Sequence, residues 1–261
     1  MHTKVDFNFL ESKYHILTKD LPGSVLSASL SDLQDKEKAM QLIRSVMRII
    51  RAGQPDIAAF HLSSWLGMVC SAVQASLSLY DTVLLLSPER IRLHIMMVDG
   101  RRNVSFLVED IEHICISIER ARVSRAEALN RFYERTVFPI LRGMALAAGT
   151  RESQLWAQFV TRMYNESDYM SNHASFKDRE HWIKWDFALL LNELRLEKLE
   201  LRRNPFDVKF NWIGQLHNPD ELTRKKTACC LAYMTGTAHG YCYTCPRLDE
   251  AGRRERRLSA N

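Results

Sequence analysis

The chain has 261 residues, of which 46% are hydrophobic and 26% are charged, which is ordinary for a soluble globular protein with one large domain or two small ones. Of the formal net charge of +5, residues 221–261 supply +4, because eight Lys and Arg stand against four Asp and Glu there. Residues 1–6 lack the apolar run of a secretory signal. We therefore expect a reducing compartment, in which six cysteines do not indicate three disulfides.

The first half of the chain predicts two helices followed by a β-hairpin. Apolar spacing predicts a helix over residues 31–51, which ends before the Pro55 region. Residues 61–80 contain no Lys, Arg, Asp or Glu but include five serines, so we interpret them as a helix buried inside the protein rather than a transmembrane span. A strand is predicted over residues 82–86. Alternating apolar residues on both sides of Asp99-Gly100 predict the hairpin, because this dipeptide tolerates positive φ.

The second half predicts three more helices. Ser124-Arg125-Ala126-Glu127 fits a capping box at the start of the first, and Gly149 is expected to end it. The second places its apolar residues on one side over 155–163, and the third runs over 177–203 until Asn204-Pro205 breaks it. The predicted fold is α+β and predominantly α-helical, with a small antiparallel sheet. We divide it into a helix-rich domain over 1–220, expected to face the substrate, and a C-terminal cysteine-rich segment with a basic tail over 221–261.

Four of the six cysteines fall in a short stretch near the C-terminus: Cys229, Cys230, Cys242 and Cys245. The last two form a CxxC pair, which occurs in zinc, thioredoxin-like and iron–sulfur sites. A zinc ribbon uses two such knuckles, and an adjacent Cys-Cys pair does not form one easily. A two-iron cluster spreads four thiolates over two metal ions and accommodates this spacing better. Both a [2Fe–2S] cluster and a structural zinc ion remain open on these residues alone.

The residues around the four cysteines favour an anionic metal centre. Gly236 and Gly240 allow the intervening loop to bend closely. Lys225, Lys226 and Arg247 place positive charge beside the thiolates, which lowers thiolate pKa. His239 in the loop is an alternative ligand that four cysteines make unnecessary. We expect Cys70 and Cys115, which lie in apolar segments, to be small buried residues.

The chain has no GxGxxG, no GxxxxGK[ST] and no HExxH motif. A redox protein without a nicotinamide or flavin site must receive its electrons from a partner. The basic tail suits an acidic donor such as a ferredoxin, and its alternative role is that of a solvated, disordered end. The positive charge of the tail is the only feature that suggests nucleic-acid binding, and we expect no nucleic-acid partner. Arg101 and Arg102 at the hairpin turn are predicted to be solvated.

Two tetrapeptides resemble the C-terminal signature of the bacterial FhuF-type ferric siderophore reductases: Thr227-Ala228-Cys229-Cys230 and Cys242-Tyr243-Thr244-Cys245. The basic residues 224–226 and the upstream Asn204-Pro205 are similar too. Weaker likeness extends over residues 64–68, 86–89 and 108–110, and over parts of the later helices, so that it spans about two thirds of the chain. The loop between Cys230 and Cys242 is one residue longer than in the family's pattern.

The resemblance implies a [2Fe–2S] cluster on Cys229, Cys230, Cys242 and Cys245. It implies one-electron reduction of siderophore-bound Fe(III), with hydroxamate-type or mixed citrate–hydroxamate siderophores as favoured substrates and an external, ferredoxin-like donor. It also implies a cytoplasmic location, with loose association with the inner membrane as a variant. The alternative is an iron–sulfur or zinc protein that senses redox state or stabilises the fold without reductase turnover.

Overall fold

The computed structural model describes residues 4–20, 22–116, 121–236 and 240–260. The fold is α+β and mostly helical, with small sheets that are largely antiparallel, as the sequence predicted. The α-helices are α1 (Phe7–Tyr14), α2 (Lys36–Ile50), α3 (Pro55–Tyr80), α4 (Ala121–Phe132), α5 (Phe138–Ala148), α6 (Glu152–Asn172), α7 (Glu180–Asn192) and α8 (Glu250–Ala260). The strands are β1 (Ile16–Leu17), β2 (Leu26–Ser29), β3 (Thr82–Leu84), β4 (Ile91–Val98), β5 (Arg101–Val108), β6 (His113–Cys115), β7 (Trp212–Gly214) and β8 (Leu222–Arg224).

The predicted hairpin is the centre of the largest sheet, whose strand order is β1-β5-β4-β2. Strands β4 and β5 pair antiparallel from Ile91 opposite Val108 to Val98 opposite Arg101. Asp99 and Gly100 join them with φ values of 50° and 72°, the positive pair that a type I′ turn requires. Strand β1 pairs parallel to β5, and the two remaining pairs, β3–β6 and β7–β8, are antiparallel. The hairpin prediction is confirmed.

Helix α3 forms the centre of the hydrophobic core. It is long and apolar enough to cross a membrane by length and composition alone, but 89% of its most apolar window is buried within the protein. Two of its buried serines form hydrogen bonds: Ser63 Oγ donates to the Leu155 carbonyl at 2.6 Å, and Ser71 Oγ donates to the Gly67 carbonyl at 2.8 Å. The prediction of a helix buried inside the protein is confirmed, and the helix begins earlier, at Pro55.

Helices α3 and α6 pack closely against each other at Gly67. A Cβ atom on this residue would lie 2.5 Å from Cβ of Phe159, which is closer than side-chain atoms pack. Because Cβ of Phe159 is fixed to the α6 backbone, relief of such a contact would require movement of the helix itself. Gly67 therefore sets the distance between the two helices.

Two helix starts differ from the sequence predictions. The segment predicted as one helix over 31–51 is a 3₁₀ turn at Leu30–Gln34 followed by α2, because the Asp35 side chain caps a new helix by accepting the amide of Lys38 at 2.9 Å. The capping box at Ser124 is wrong, since α4 already begins at Ala121. Glu127 forms an ion pair with Arg195 instead of returning to cap the helix.

The third predicted helix, over 177–203, is too long. Residues 174–179 form a 3₁₀ turn, and α7 ends at Asn192. The Asn130 side chain stops it there, because its amide donates to the Glu193 carbonyl and its oxygen accepts the amide of Arg195 at 2.8 Å. These contacts from α4 replace the next helical hydrogen bonds, so the Leu and Lys residues that follow form turns despite their helix propensity.

A buried ionic network joins α3, α4 and α7. Arg125 and Asp186 are 1% and 0% exposed, and Arg125 Nη1 donates to Asp186 Oδ2 at 2.6 Å. Arg125 also pairs with Asp81 at the end of α3, and Arg179 donates to both carboxylate oxygens of Asp81. Ser78 Oγ donates to Asp186 at 2.9 Å. The positive charge of Arg125 is thus matched by carboxylates from two different elements.

Replacement of Asp186 by Ala should lower the free energy of unfolding by about 3–5 kcal/mol, because it removes one partner of a buried pair and leaves Arg125 undercompensated. The matched control on the same helix is Glu180→Ala, which removes only ion pairs with the exposed Lys177 and Lys184 and should change stability little. Urea unfolding followed by circular dichroism measures both. Equal stability losses in the two variants would contradict a structural role for the buried network.

Candidate metal centre

The segment that leads to Cys229 is fixed along helix α6. The Thr227 amide donates to Thr161 Oγ1 at 3.1 Å, and its hydroxyl donates to the Ala157 carbonyl at 2.7 Å. Gln158 donates to the carbonyl of Cys229 itself at 3.5 Å. Residues one turn apart on α6 therefore hold the backbone of the first cysteine pair.

The loop after Cys230 is anchored to the rest of the protein before it reaches the second pair. Leu231 adopts a left-handed conformation with φ 56° and is buried in the core. The Gly236 amide then donates to the Ile50 carbonyl at the end of α2, at 3.2 Å. A Cβ on Gly236 would overlap the Arg51 side chain, so only glycine allows this approach. His239, the alternative ligand, lies outside the described residues.

Cys242 and Cys245 are joined by a tight turn in which the Cys245 amide donates to the Cys242 carbonyl at 2.9 Å. The Lys226 amide donates to the Thr244 carbonyl at 2.9 Å, and this hydrogen bond brings the two cysteine pairs side by side. The Arg247 amide donates to Sγ of Cys245 at 3.4 Å. An amide that donates to sulfur stabilises the thiolate, as hydrogen-bond donors next to metal ligands commonly do.

The structure places the sulfur atoms of Cys229 and Cys245 3.4 Å apart. Two thiolates on one tetrahedral metal ion are separated by about 3.8 Å, given metal–sulfur bonds of about 2.3 Å. Cys230 and Cys242 are half-buried neighbours in the same segment. Within the described residues no group of three or more metal-ligating side chains is assembled. The structure therefore brings two of the four predicted ligands into contact, and Cys230 and Cys242 are not part of that pair.

The donor set nevertheless suits a thiolate-bound metal. Cys245 is 1% exposed, and burial raises the pKa of its thiol above the usual range, with the Cys229 sulfur adding to the effect. A buried sulfur pair of this kind is unfavourable as two anions and becomes favourable when a cation lies between them. Four thiols on a segment with few alternative ligands, two of them already adjacent, fit a [2Fe–2S] cluster or a zinc ion.

The basic tail is a helix that packs on the cysteine segment. Arg253 in α8 is 3% exposed, and its Nη2 donates to the Cys245 carbonyl at 2.7 Å. Arg257 donates to the Tyr243 hydroxyl at 2.9 Å, and that hydroxyl donates to the Gly214 carbonyl at 2.6 Å. The alternative of a disordered, solvated tail is therefore wrong. Arg254 is the exposed arginine of the helix, whereas Arg253 and Arg257 hold the CxxC turn in place.

Of the remaining two cysteines, one matches its prediction. Cys70 is 1% exposed within α3, and burial raises the pKa of its thiol far above the usual range. Cys115 is exposed, contrary to the prediction, because it lies in β6, an edge strand whose three residues are all exposed. The prediction failed because an apolar segment at a sheet edge need not be covered on both faces.

A polar cavity of about 620 Å³ lies beside the cysteine loop. We call it the arginine cavity; its main residues are Arg51, His61, Trp65, Arg101, Arg102 and Gly236. Arg102 is half-buried, so the prediction that it is solvated is wrong, whereas Arg101 is exposed. Burial, with the charges of Arg102 and Lys226, lowers the pKa of His61 to about 4, so its imidazole is neutral at pH 7.

Only part of this cavity could be predicted from the sequence. His61 and Trp65 are four residues apart on one helical face, with ring centroids 5.9 Å apart, a spacing that is visible in the sequence. The meeting of the α2 end, the α3 face and the hairpin turn is a tertiary arrangement. No local sequence pattern predicts that the cationic side chains of these elements meet at one cavity.

Comparison with known proteins adds no relative: a scan against protein-family models finds no match, and a search of curated proteins finds no significant one. The resemblance to the FhuF-type reductases thus depends on the cysteine signature and the weaker likenesses described above. It remains a prediction.

Replacement of any one of Cys229, Cys230, Cys242 or Cys245 by Ser should strip or destabilise the metal centre, because a serine oxygen is a poorer ligand for iron in such a cluster. Iron and acid-labile sulfide in anaerobically purified protein measure the effect. Cys70→Ser and Cys115→Ser are the controls, one buried and one exposed, and should retain both. Metal loss from Cys115→Ser equal to that from Cys229→Ser would contradict the ligand assignment.

The two neighbouring arginines of α8 should behave differently. Arg253→Ala removes a buried guanidinium from the Cys245 carbonyl. It should lower the free energy of unfolding by about 2 kcal/mol and reduce the amount of metal that the protein retains. Arg254→Ala should leave both unchanged and slow reduction by an acidic donor, most at low salt, because exposed charges are screened over about 10 Å at 0.1 M. Thermal melts, metal content and reduction rates at two salt concentrations test the pair. Identical behaviour of the two variants would refute this division of roles.

Proposed function

We propose that the chain is a ferric siderophore reductase that holds a [2Fe–2S] cluster on Cys229, Cys230, Cys242 and Cys245. The observation that carries the proposal is the contact between the Cys229 and Cys245 sulfurs, 3.4 Å apart, in a segment that contains two further cysteines. The Cys-Cys and CxxC spacing supports a two-iron centre over a zinc knuckle. The absence of nicotinamide and flavin motifs from the sequence supports an external electron donor.

The protein's own residues supply the setting for this chemistry. Helix α6 fixes the first cysteine pair, α8 fixes the second, and the Lys226–Thr244 hydrogen bond holds the two together. The Arg247 amide stabilises negative charge on the Cys245 sulfur. Three of the four cysteines are only half-buried, which leaves the centre close enough to the surface for a bulky substrate.

When bound, the cluster would supply single-electron transfer. The substrate iron is held as Fe(III) by hard oxygen donors, and gain of one electron converts it to Fe(II), which the same donors bind much more weakly. An external donor of ferredoxin type, with an acidic surface, would restore that electron, and the exposed Arg254 is a candidate contact for it. We place this activity in the cytoplasm, where the released iron is used.

The second candidate is a zinc or iron–sulfur centre that stabilises the fold or senses redox state. The observation that favours it is the enclosure of Cys245, which is 1% exposed and whose carbonyl accepts a hydrogen bond from the buried Arg253. Such enclosure is typical of structural metal sites. The metal content of anaerobically purified protein separates zinc from a two-iron cluster.

The reductase proposal is tested by anaerobic stopped-flow spectroscopy. Dithionite-reduced protein mixed with ferric hydroxamate or citrate–hydroxamate siderophores, with and without an Fe(II) chelator, should be reoxidised in one-electron steps with matching Fe(II) production. NADH or NADPH alone should reduce it slowly or not at all. A potential difference of 59 mV changes the one-electron equilibrium about tenfold, so low-potential complexes should require the chelator. Protein that stays reduced with every complex and with the chelator would favour the sensor.

A further inference from the structure

The arginine cavity collects positive charge from separate parts of the chain. Arg51 ends α2, and Arg101 and Arg102 begin β5 directly after the hairpin turn. Among the described residues, no Asp or Glu lines this cavity, and none of the three arginines forms an ion pair with a carboxylate. Other arginines among the described residues, such as Arg125 and Arg224, form ion pairs with aspartates. The cavity is thus an unbalanced cationic site.

Two buried polar atoms in the cavity lack a hydrogen-bond partner: Nη1 of Arg102 and Nε2 of His61. A buried donor without a partner is unfavourable, and more so when it is charged, so such atoms commonly meet a water molecule or a bound ligand. The guanidinium of Arg102 donates only, which requires an acceptor, and a planar oxyanion matches its geometry best.

The remaining walls of the cavity are apolar. Trp65 offers an aromatic surface beside His61, and Met97, near the end of β4, is a large hydrophobic residue that is 46% exposed. At about 620 Å³ the cavity is in the range of small-molecule sites, which combine apolar walls with a few polar groups that orient the ligand. The ligand indicated is therefore anionic at one end and apolar at the other.

The cavity also adjoins the candidate metal centre. Gly236 belongs both to the cavity wall and to the loop between Cys230 and Cys242. Lys226, three residues before Cys229, lies close enough to His61 to perturb its titration. A ligand held here would lie next to the described part of the cysteine segment.

We propose that the arginine cavity is the substrate site, and that Arg102, with Arg51 and Arg101, selects ferric chelates that carry free carboxylate or hydroxycarboxylate groups over electrically neutral ones. This inference rests on the proposed function and specifies its substrate class. Three hydroxamates cancel the charge of Fe(III), whereas a citrate-type hydroxycarboxylate in place of one hydroxamate leaves the complex anionic. Mixed citrate–hydroxamate chelates supply both the oxyanion for Arg102 and the acyl carbons for Trp65.

The test uses gallium(III) complexes, which match ferric complexes in charge and shape but are not reduced. Isothermal titration calorimetry of the full chain should show at least about tenfold tighter binding of a gallium citrate–hydroxamate complex than of a neutral gallium trihydroxamate. Arg102→Gln should weaken binding of the anionic complex by about tenfold or more and leave binding of the neutral one unchanged. Free citrate and inorganic phosphate, tested as competitors, show whether a bare oxyanion suffices.

The matched control is Arg44→Gln, which removes the same charge from an exposed position on α2 outside the cavity and should not change either affinity. Arg102→Lys keeps the charge but loses the planar fork, and should restore binding in part. Circular dichroism melts of each variant show whether it is folded, and if Arg102→Gln is not, Arg51→Gln and Arg101→Gln test the same cations.

The outcomes separate this inference from the proposed function. Equal affinity of the two gallium complexes, or equal effects of Arg102→Gln and Arg44→Gln on the anionic complex, would overturn the substrate-site inference even if ferric complexes are reduced. Selective binding of the anionic gallium complex that Arg102→Gln abolishes supports it, even if the reduced protein fails to transfer electrons to the ferric complex. Competition by phosphate as strong as by the chelate would show a general oxyanion site and refute selection of the chelate.

Discussion

Helix α3 has no charged side chain between His61 and its end at Tyr80. The fold is therefore stable only if other elements bury this helix from several sides. Helices α2, α5, α6 and α7, with strand β3, supply that cover. Ser63 and Ser71 donate to backbone carbonyls and Ser78 donates to Asp186, so these three hydroxyls are compatible with a close-packed interior. Near its start, at His61 and Trp65, α3 forms a wall of the arginine cavity.

The packing around α3 also determines where the cysteines lie. Helix α6 has one face against α3 and presents Ala157, Gln158 and Thr161 to the backbone around Thr227 and Cys229. Helix α8 contacts the cysteine segment through Arg253. The described residues of that segment have little regular secondary structure, so their shape is set by hydrogen bonds from α6 and α8. A metal ion would then connect chain segments that are already close together.

Local patterns in the sequence predicted the elements whose causes are local. The Asp-Gly turn, the charge-free helix and the glycine that ends α5 with φ 65° all depend on residues within a few positions. The predictions failed where a residue distant in sequence determined the structure. Asn130 ends α7, and Glu127 pairs with Arg195 and does not cap α4. For the same reason the four cysteines could be identified as a group, whereas the contact of Cys229 with Cys245 and the role of Arg102 require the tertiary fold.

Gly67 is an example of a residue whose effect on the cysteine segment is indirect. It is not among the residues that line the arginine cavity, and it is far in sequence from Cys229, yet a single added methyl group there would press on Cβ of Phe159. The α6 helix would have to shift as a rigid rod, carrying with it the threonine and glutamine that align the first cysteine pair. We therefore expect that no residue larger than glycine is accepted at this position during evolution. The proposed metal centre would then depend on an invariant glycine in a remote, apolar helix.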